Sequence, residues 1–148
     1  MSKLKLGREL VLETRLLFHA LSSISEVINQ GMVTAAQRGV LESLLSEDKT
    51  IPQIAREKGV SRQHILKQVT PLEEGEYITQ RENPEHKRSF YLSLSPKGRK
   101  LMKNIISREN KILEELLNEF KEKELENSRE VLKLLRGKIN NQIIIEDE

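Results

Sequence analysis

Arg62, Gln63, His64, Lys67, Gln68 and Thr70 crowd one short stretch of the chain, and their side chains match the edges of nucleotide bases. A guanidinium or ammonium donates to guanine O6 and N7, and a carboxamide pairs with adenine N6 and N7. A second group, Lys87, Arg88 and Ser89, sets two cations beside a hydroxyl, a combination suited to phosphate oxygens or a minor groove. Chemistry of the catalytic kind has no comparable cluster. There is no nucleophile elbow, phosphate loop or zinc motif, and the acidic pairs Glu73-Glu74 and Glu114-Glu115 are helix neighbours that point in different directions. His19, His64 and His86 are far apart and no cysteine accompanies them, so neither a metal site nor a cofactor is expected.

The segment from Thr50 to Ile65 is what must position the first group. It reads as two short helices crossing at a turn: Ala55 is small where the helices approach, Gly59 suits a positive φ, and Val60 and Ile65 are expected to close the core between them. Ser61 is expected to cap the second helix and to join Arg62, Gln63 and His64 at its reading end. Ile65, Val69 and Leu72 fall on one face; at about 100° per residue, Gln63, Lys67 and Thr70 point the other way. Pro71 is expected to kink that helix or tighten its final turn.

Tyr77 to Arg81 and Phe90 to Leu94 read as strands of a β-hairpin, and the polar loop between them carries the second group. A basic hairpin directly after a reading helix is a wing. Before these elements, Leu10, Leu17, Leu21, Ile24 and Ile28 predict one long helix from about Leu6 to Gln30. Thr34 and Gln37 form a capping box opening a second helix, whose buried face is Val40, Leu41, Leu44 and Leu45. After the hairpin, Ser95 and Pro96 start a helix lined by Leu101, Ile105, Ile112, Leu116 and Phe120. A last helix carries Leu125, Leu132, Leu135, Ile139 and Ile143, and an interruption is expected at Gly137.

Composition bounds the rest. At 148 residues, with 32% charged and 36% hydrophobic residues and no Trp, the chain suits exposed amphipathic helices better than a large aromatic core. The net charge is only +2, but residues 81 to 100 hold six cations against Glu82 and Glu85, while residues 109 to 148 hold seven cations against eleven anions. The absence of cysteine excludes disulfides and thiol switches, and no apolar run approaches the roughly 18 residues of a membrane span; a cytoplasmic location with no membrane partner is expected. The fold class is therefore mainly α with a small β wing. Residues 32–98 are expected to form a winged helix-turn-helix, and 1–31 with 99–148 a helical dimerisation region. The stripe residues Leu10, Leu17, Leu125, Leu132, Leu135, Ile139 and Ile143 need a partner surface, and two copies of the chain supply one. Two reading helices related by a dyad enter major grooves about 34 Å apart, which makes an inverted repeat in double-stranded DNA the expected target.

In this order and spacing the motifs resemble the MarR family of transcriptional regulators over nearly the whole chain. The resemblance rests on Met32 to Gln37, Thr50 to Ala55, Val60 to Gln63, Leu72 to Glu74, and Asn83 to Ser89 leading into Leu94 to Gly98. It implies a homodimeric regulator, usually a repressor, often released by a small ligand held between the DNA-binding and dimerisation parts. Arg15, Phe18 and His19 are the candidates for such a pocket, and Arg88 matches the family's wing arginine. Two positions depart from the family. His86 stands where an Asp commonly orients that arginine, and the glycine before the wing is displaced to Gly75, with Glu76 following. The alternatives are an activator on the same scaffold and a winged-helix interaction module that does not read DNA; an enzyme is not expected.

Overall fold

Among the described residues, five of the six helices begin on a serine or threonine whose hydroxyl accepts an orphan N–H of the first turn. In the computed structural model, which describes residues 1–146 with side chains through Gln142, Ser2 accepts from Lys5 and starts α1, Lys3–Asn29. Thr34 accepts from Gln37 to start α2, Ala35–Ser43, and Gln37 returns the bond to the Thr34 N–H as the capping box requires. Thr50 and Gln53 repeat the same box at α3, Ile51–Lys58. Ser61 accepts from His64 at α4, Arg62–Glu74, and Ser95 accepts from Gly98 at α5, Pro96–Leu116. The sixth, α6, spans Glu122–Glu146 and is capped by the Glu124 carboxylate on the Lys121 N–H.

Three strands complete the fold: β1, Lys49–Thr50; β2, Ile78–Arg81; and β3, Tyr91–Leu94. They form an antiparallel sheet in the order β1-β3-β2, with Ile78 opposite Leu94, Arg81 opposite Tyr91, and Thr50 on the other side of Tyr91. The mainly helical chain with its small hairpin sheet is the expected class. β1 was not expected. It exists only because its two residues pair with Leu92 and Tyr91, about forty positions later in the chain.

The chain divides into two units, Met1–Glu109 and Asn110–Glu148. In the first, Val40, Leu41 and Leu44 of α2, Ile54 of α3, and Ile65, Val69 and Leu72 of α4 form one core. Leu92 and Leu94 of β3 and Leu101, Met102 and Ile105 of α5 are buried as well. Two expected core positions are corrected: Leu45 lies beyond the end of α2, and Val60 lies beyond the turn glycine, 39% exposed. Arg38 is buried without having been expected there, and its guanidinium bonds Glu42 one turn on and Glu109 of α5. Asn29 is also fully buried, with neither amide atom bonded, close in the chain to the Ile28 carbonyl that accepts from Arg108 Nε at 2.7 Å.

In the second unit, α6 runs through Gly137 without the expected interruption. A single glycine in a helix of 25 residues costs only about 1 kcal/mol, and the bonds on either side hold it. Leu125, Leu132 and Ile139 are exposed on this helix and Leu135 is half-buried, while the side chain of Ile143 lies outside the described residues. Leu10 and Leu17 are likewise exposed on α1.

Candidate nucleic-acid interface

The reading helix is held by one face and offers the other. Ile65, Val69 and Leu72 are each 1% exposed, whereas Arg62, Gln63, His64, Lys67 and Thr70 are all exposed. Gln68 sits at the edge of the core and is half-buried; Ser61 is exposed, with its hydroxyl engaged by the His64 N–H at 3.0 Å. The Thr70 hydroxyl donates back to the Leu66 carbonyl at 3.2 Å. Leu66 itself, absent from the expected site, is exposed among these polar residues.

α4 continues through Pro71 to Glu74. Proline costs the helix one hydrogen bond, and the turn that follows is fully bonded. Gly75 donates to the Pro71 carbonyl at 2.9 Å, Glu76 to Glu73 at 2.9 Å and Tyr77 to Leu72 at 2.9 Å. The last two bonds make a Schellman closure. The same closure ends α3, where Val60 donates to Ala55 and Gly59 to Arg56, and there the left-handed residue is Gly59 with φ 67°. After α4 the left-handed residue is Glu76, φ 62°, while Gly75 has ordinary helical angles. The displaced glycine serves a different need: a Cβ at Gly75 would lie 2.9 Å from the Tyr77 ring.

From this closure the chain enters the wing, and the junction is tied on several sides. The Ser95 hydroxyl donates to the Glu76 carbonyl at 2.6 Å while accepting from Gly98, and the Ser95 N–H donates to the Tyr77 carbonyl at 3.0 Å. Lys97 donates to the Gly75 carbonyl at 2.6 Å, its ammonium 4.6 Å from the Tyr77 ring centre, and Gln80 of β2 bonds Glu73 of α4. The reading helix and the wing are thereby held in one frame.

At the base of the wing, Arg81 donates to Asp48 at 2.9 Å and lies 4.4 Å over the ring of Tyr91. Hydrogen bonds from Ser93 and then Arg81 lower the Asp48 pKa below its ordinary value. The tip is built from two successive turns. Asn83 starts the first, its side chain accepting from Glu85 at 3.1 Å and its carbonyl from His86 at 3.2 Å; the His86 carbonyl then accepts from Ser89 at 3.2 Å. His86 thus acts through its backbone, at the joint between the turns. Lys87 and Arg88 are exposed on the second turn, and Ser89 is half-buried.

Among the described residues no carboxylate forms an ion pair with Arg62, Lys67, Lys87 or Arg88, whereas Arg38, Lys49 and Arg81 are all paired. Basic Arg56 and Lys58 end α3, the helix that precedes the reading helix. The site has unneutralised cations and hydrogen-bonding amides on one rigid frame, which is the equipment for an anionic polymer with readable edges. Arg15, Phe18 and His19 are exposed on α1, with the Phe18 and His19 rings edge to face at 5.8 Å. A hollow of about 350 Å³ lies in the wing, lined by Glu82, Asn83, Pro84, Lys87 and Phe90. Among the described residues no three His, Asp or Glu side chains gather to hold a metal ion, and no helix is long and apolar enough to cross a membrane.

No family model and no curated protein matches the chain in sequence. Solved structures do match it. A MarR-family transcription regulator is 26% identical, superposes with a TM-score of 0.77 and is covered over 95% of both chains. A MarR protein of Staphylococcus aureus, solved with salicylate and kanamycin, is 17% identical with a TM-score of 0.76 over 97% of this chain and 95% of that one. Reduced AbfR bound to DNA is 17% identical with a TM-score of 0.75, over 95% of this chain and 96% of that one. In helix order, three-stranded sheet and wing the chain shares the winged-helix fold of these MarR-type structures.

Proposed function

We propose that the chain is a dimeric, sequence-specific DNA-binding transcription regulator that represses by occupying an inverted-repeat operator. The observation that carries this reading is the division of α4: Ile65, Val69 and Leu72 face the core, and Arg62, Gln63 and Lys67 stand exposed with no acidic partner among the described residues. Gln63 and Lys67 read base edges in the major groove, Arg62 and Thr70 flank them, and Lys87 and Arg88 of the wing hold the backbone or the adjacent minor groove. The structural neighbour solved on DNA supports the use of this scaffold for DNA.

The dimer rests on unmatched apolar surface. Leu10 and Leu17 on α1, and Leu125, Leu132 and Ile139 on α6, are exposed in the single chain. Pairing of residues 1–31 and 99–148 with their copies would bury these stripes and set the dyad between two reading helices. A small effector fits the same scheme, since the Staphylococcus aureus neighbour was solved with salicylate; Arg15, Phe18 and His19 of α1 are its candidate contacts. Activation in place of repression would follow from operator position alone.

Selection of bound DNA from random duplexes at fixed salt tests the proposal, with sizing of the protein in parallel. The expected result is a palindromic consensus bound by a dimer. Uniform recovery of all sequences would reject the reading and leave a winged-helix interaction module in its place.

A further inference from the structure

We infer that Leu66 is a specificity-determining residue that seats against the 5-methyl group of a thymine in each operator half-site; this rests on the DNA-reading proposal above. Leu66 follows the buried Ile65 directly, so it lies about 100° round the helix from the core, on the margin of the face formed by Gln63, Lys67 and Thr70. It is 44% exposed, a large aliphatic side chain kept in solvent where the core gains little from it.

Its helical neighbours define what it is suited to touch. Gln63 and Arg62, three and four residues before it, are exposed and polar; Thr70, four residues after it, spends its hydroxyl hydrogen on the Leu66 carbonyl. Leu66 therefore places one apolar side chain on the margin of a face whose Gln63 and Lys67 centre is polar. Arg62 and Lys67 flank the leucine with charge that no carboxylate among the described residues neutralises, which favours a polyanion over an apolar protein surface as the occupant. Within the major groove the apolar group available to such a margin is the thymine methyl.

The test uses the full chain and the operator obtained by random-duplex selection. Each thymine in the half-site is replaced by deoxyuridine, which removes the methyl group alone, and binding is measured for the wild type, Leu66→Ala and Leu66→Met. The wild type should lose about fourfold affinity per half-site at one symmetry-related position, the scale of one buried methyl group. Leu66→Ala should bind the thymine operator more weakly by a similar factor for each half-site and be insensitive to uridine at that position; Leu66→Met should keep the sensitivity. Because Leu66 is exposed, unchanged melting temperatures control for folding. Equal response of wild type and Leu66→Ala to uridine at every position overturns the inference while leaving the DNA reading intact, as does a change of oligomeric state in Leu66→Ala without any coupling to a methyl group. If the wild type enriches no sequence, the DNA reading itself fails, and the inference with it.

Discussion

Gly98 lies so close beneath the Tyr77 carbonyl that a Cβ on the glycine would stand 2.1 Å from that oxygen. The contact joins the first turn of α5 to the residue leading into β2, and the obstacle is backbone, which cannot rotate away. Gly98→Ala should therefore separate α5 from the wing junction and destabilise the protein by about 3 kcal/mol or more. Urea unfolding measures this. A variant as stable as the wild type would mean that the junction is looser than its geometry.

Glu76 occupies the left-handed position of the α4 closure with φ 62°, a conformation that costs a residue bearing a Cβ roughly 1–2 kcal/mol. Glu76→Gly removes that cost and adds some unfolded-chain entropy, so a net gain of roughly 0.5–1 kcal/mol is expected. Gly75→Ala, one residue away, should have the opposite sign because its Cβ would meet the Tyr77 ring at 2.9 Å. Thermal melts of the two variants should move in opposite directions.

Asp48 gives the fold a sensitivity to acid. Its folded pKa is lowered by Ser93 and Arg81, so its contribution is full above the unfolded value near 4 and disappears as pH falls through the folded one. The Arg81 side chain is 55% exposed, which limits the contribution to about 0.5–1 kcal/mol. Asp48→Asn should be less stable than the wild type by that amount at pH 6, and the gap should close as pH falls below about 4. A gap that stays constant across this range would assign the loss to packing.

Arg38 and Glu109 tie α2 to α5, and the guanidinium is almost wholly buried. Glu109→Ala would leave that cation with Glu42 alone, at a cost of about 1–3 kcal/mol. Combining it with Arg38→Met should recover much of the loss, because no buried charge is then left short of partners. Simple additivity of the two changes in denaturant melts would argue against the coupling.

Binding should separate the helix from the wing. Arg88→Ala is expected to weaken binding to every sequence and reduce the slope of log affinity against log salt by about one, since it removes one phosphate contact. Gln63→Ala should relax discrimination at a single base pair by about 1–3 kcal/mol and leave the salt slope nearly unchanged. Equal, sequence-independent losses from both would remove the division of roles.

The features legible in the sequence are those made by residues within a turn or two of one another. The Thr34 and Gln37 capping box, the Ser61 and Ser95 caps, the Gly59 turn and the Ile65, Val69 and Leu72 stripe stand where they were expected, because each depends on bonds or contacts between near neighbours in the chain. The exposure of Arg62, Gln63 and Lys67 opposite that stripe was legible for the same reason. Tertiary structure decided what depends on distant partners. Lys49 and Thr50 become a strand only against Leu92 and Tyr91, and Arg38 is buried because Glu109 reaches it from α5. Gly75 and Gly98 must be glycine because Tyr77 packs against both. Val60 and Leu45 are apolar enough for a core, yet they fall just past helix ends where the chain turns outward. Leu66 is as apolar as the core residues beside it, and the packing of Ile65 and Val69 leaves it on the exposed side of the helix. Local hydrogen bonds and periodicity are properties of adjacent residues, whereas burial and close approach depend on which distant segment arrives opposite them.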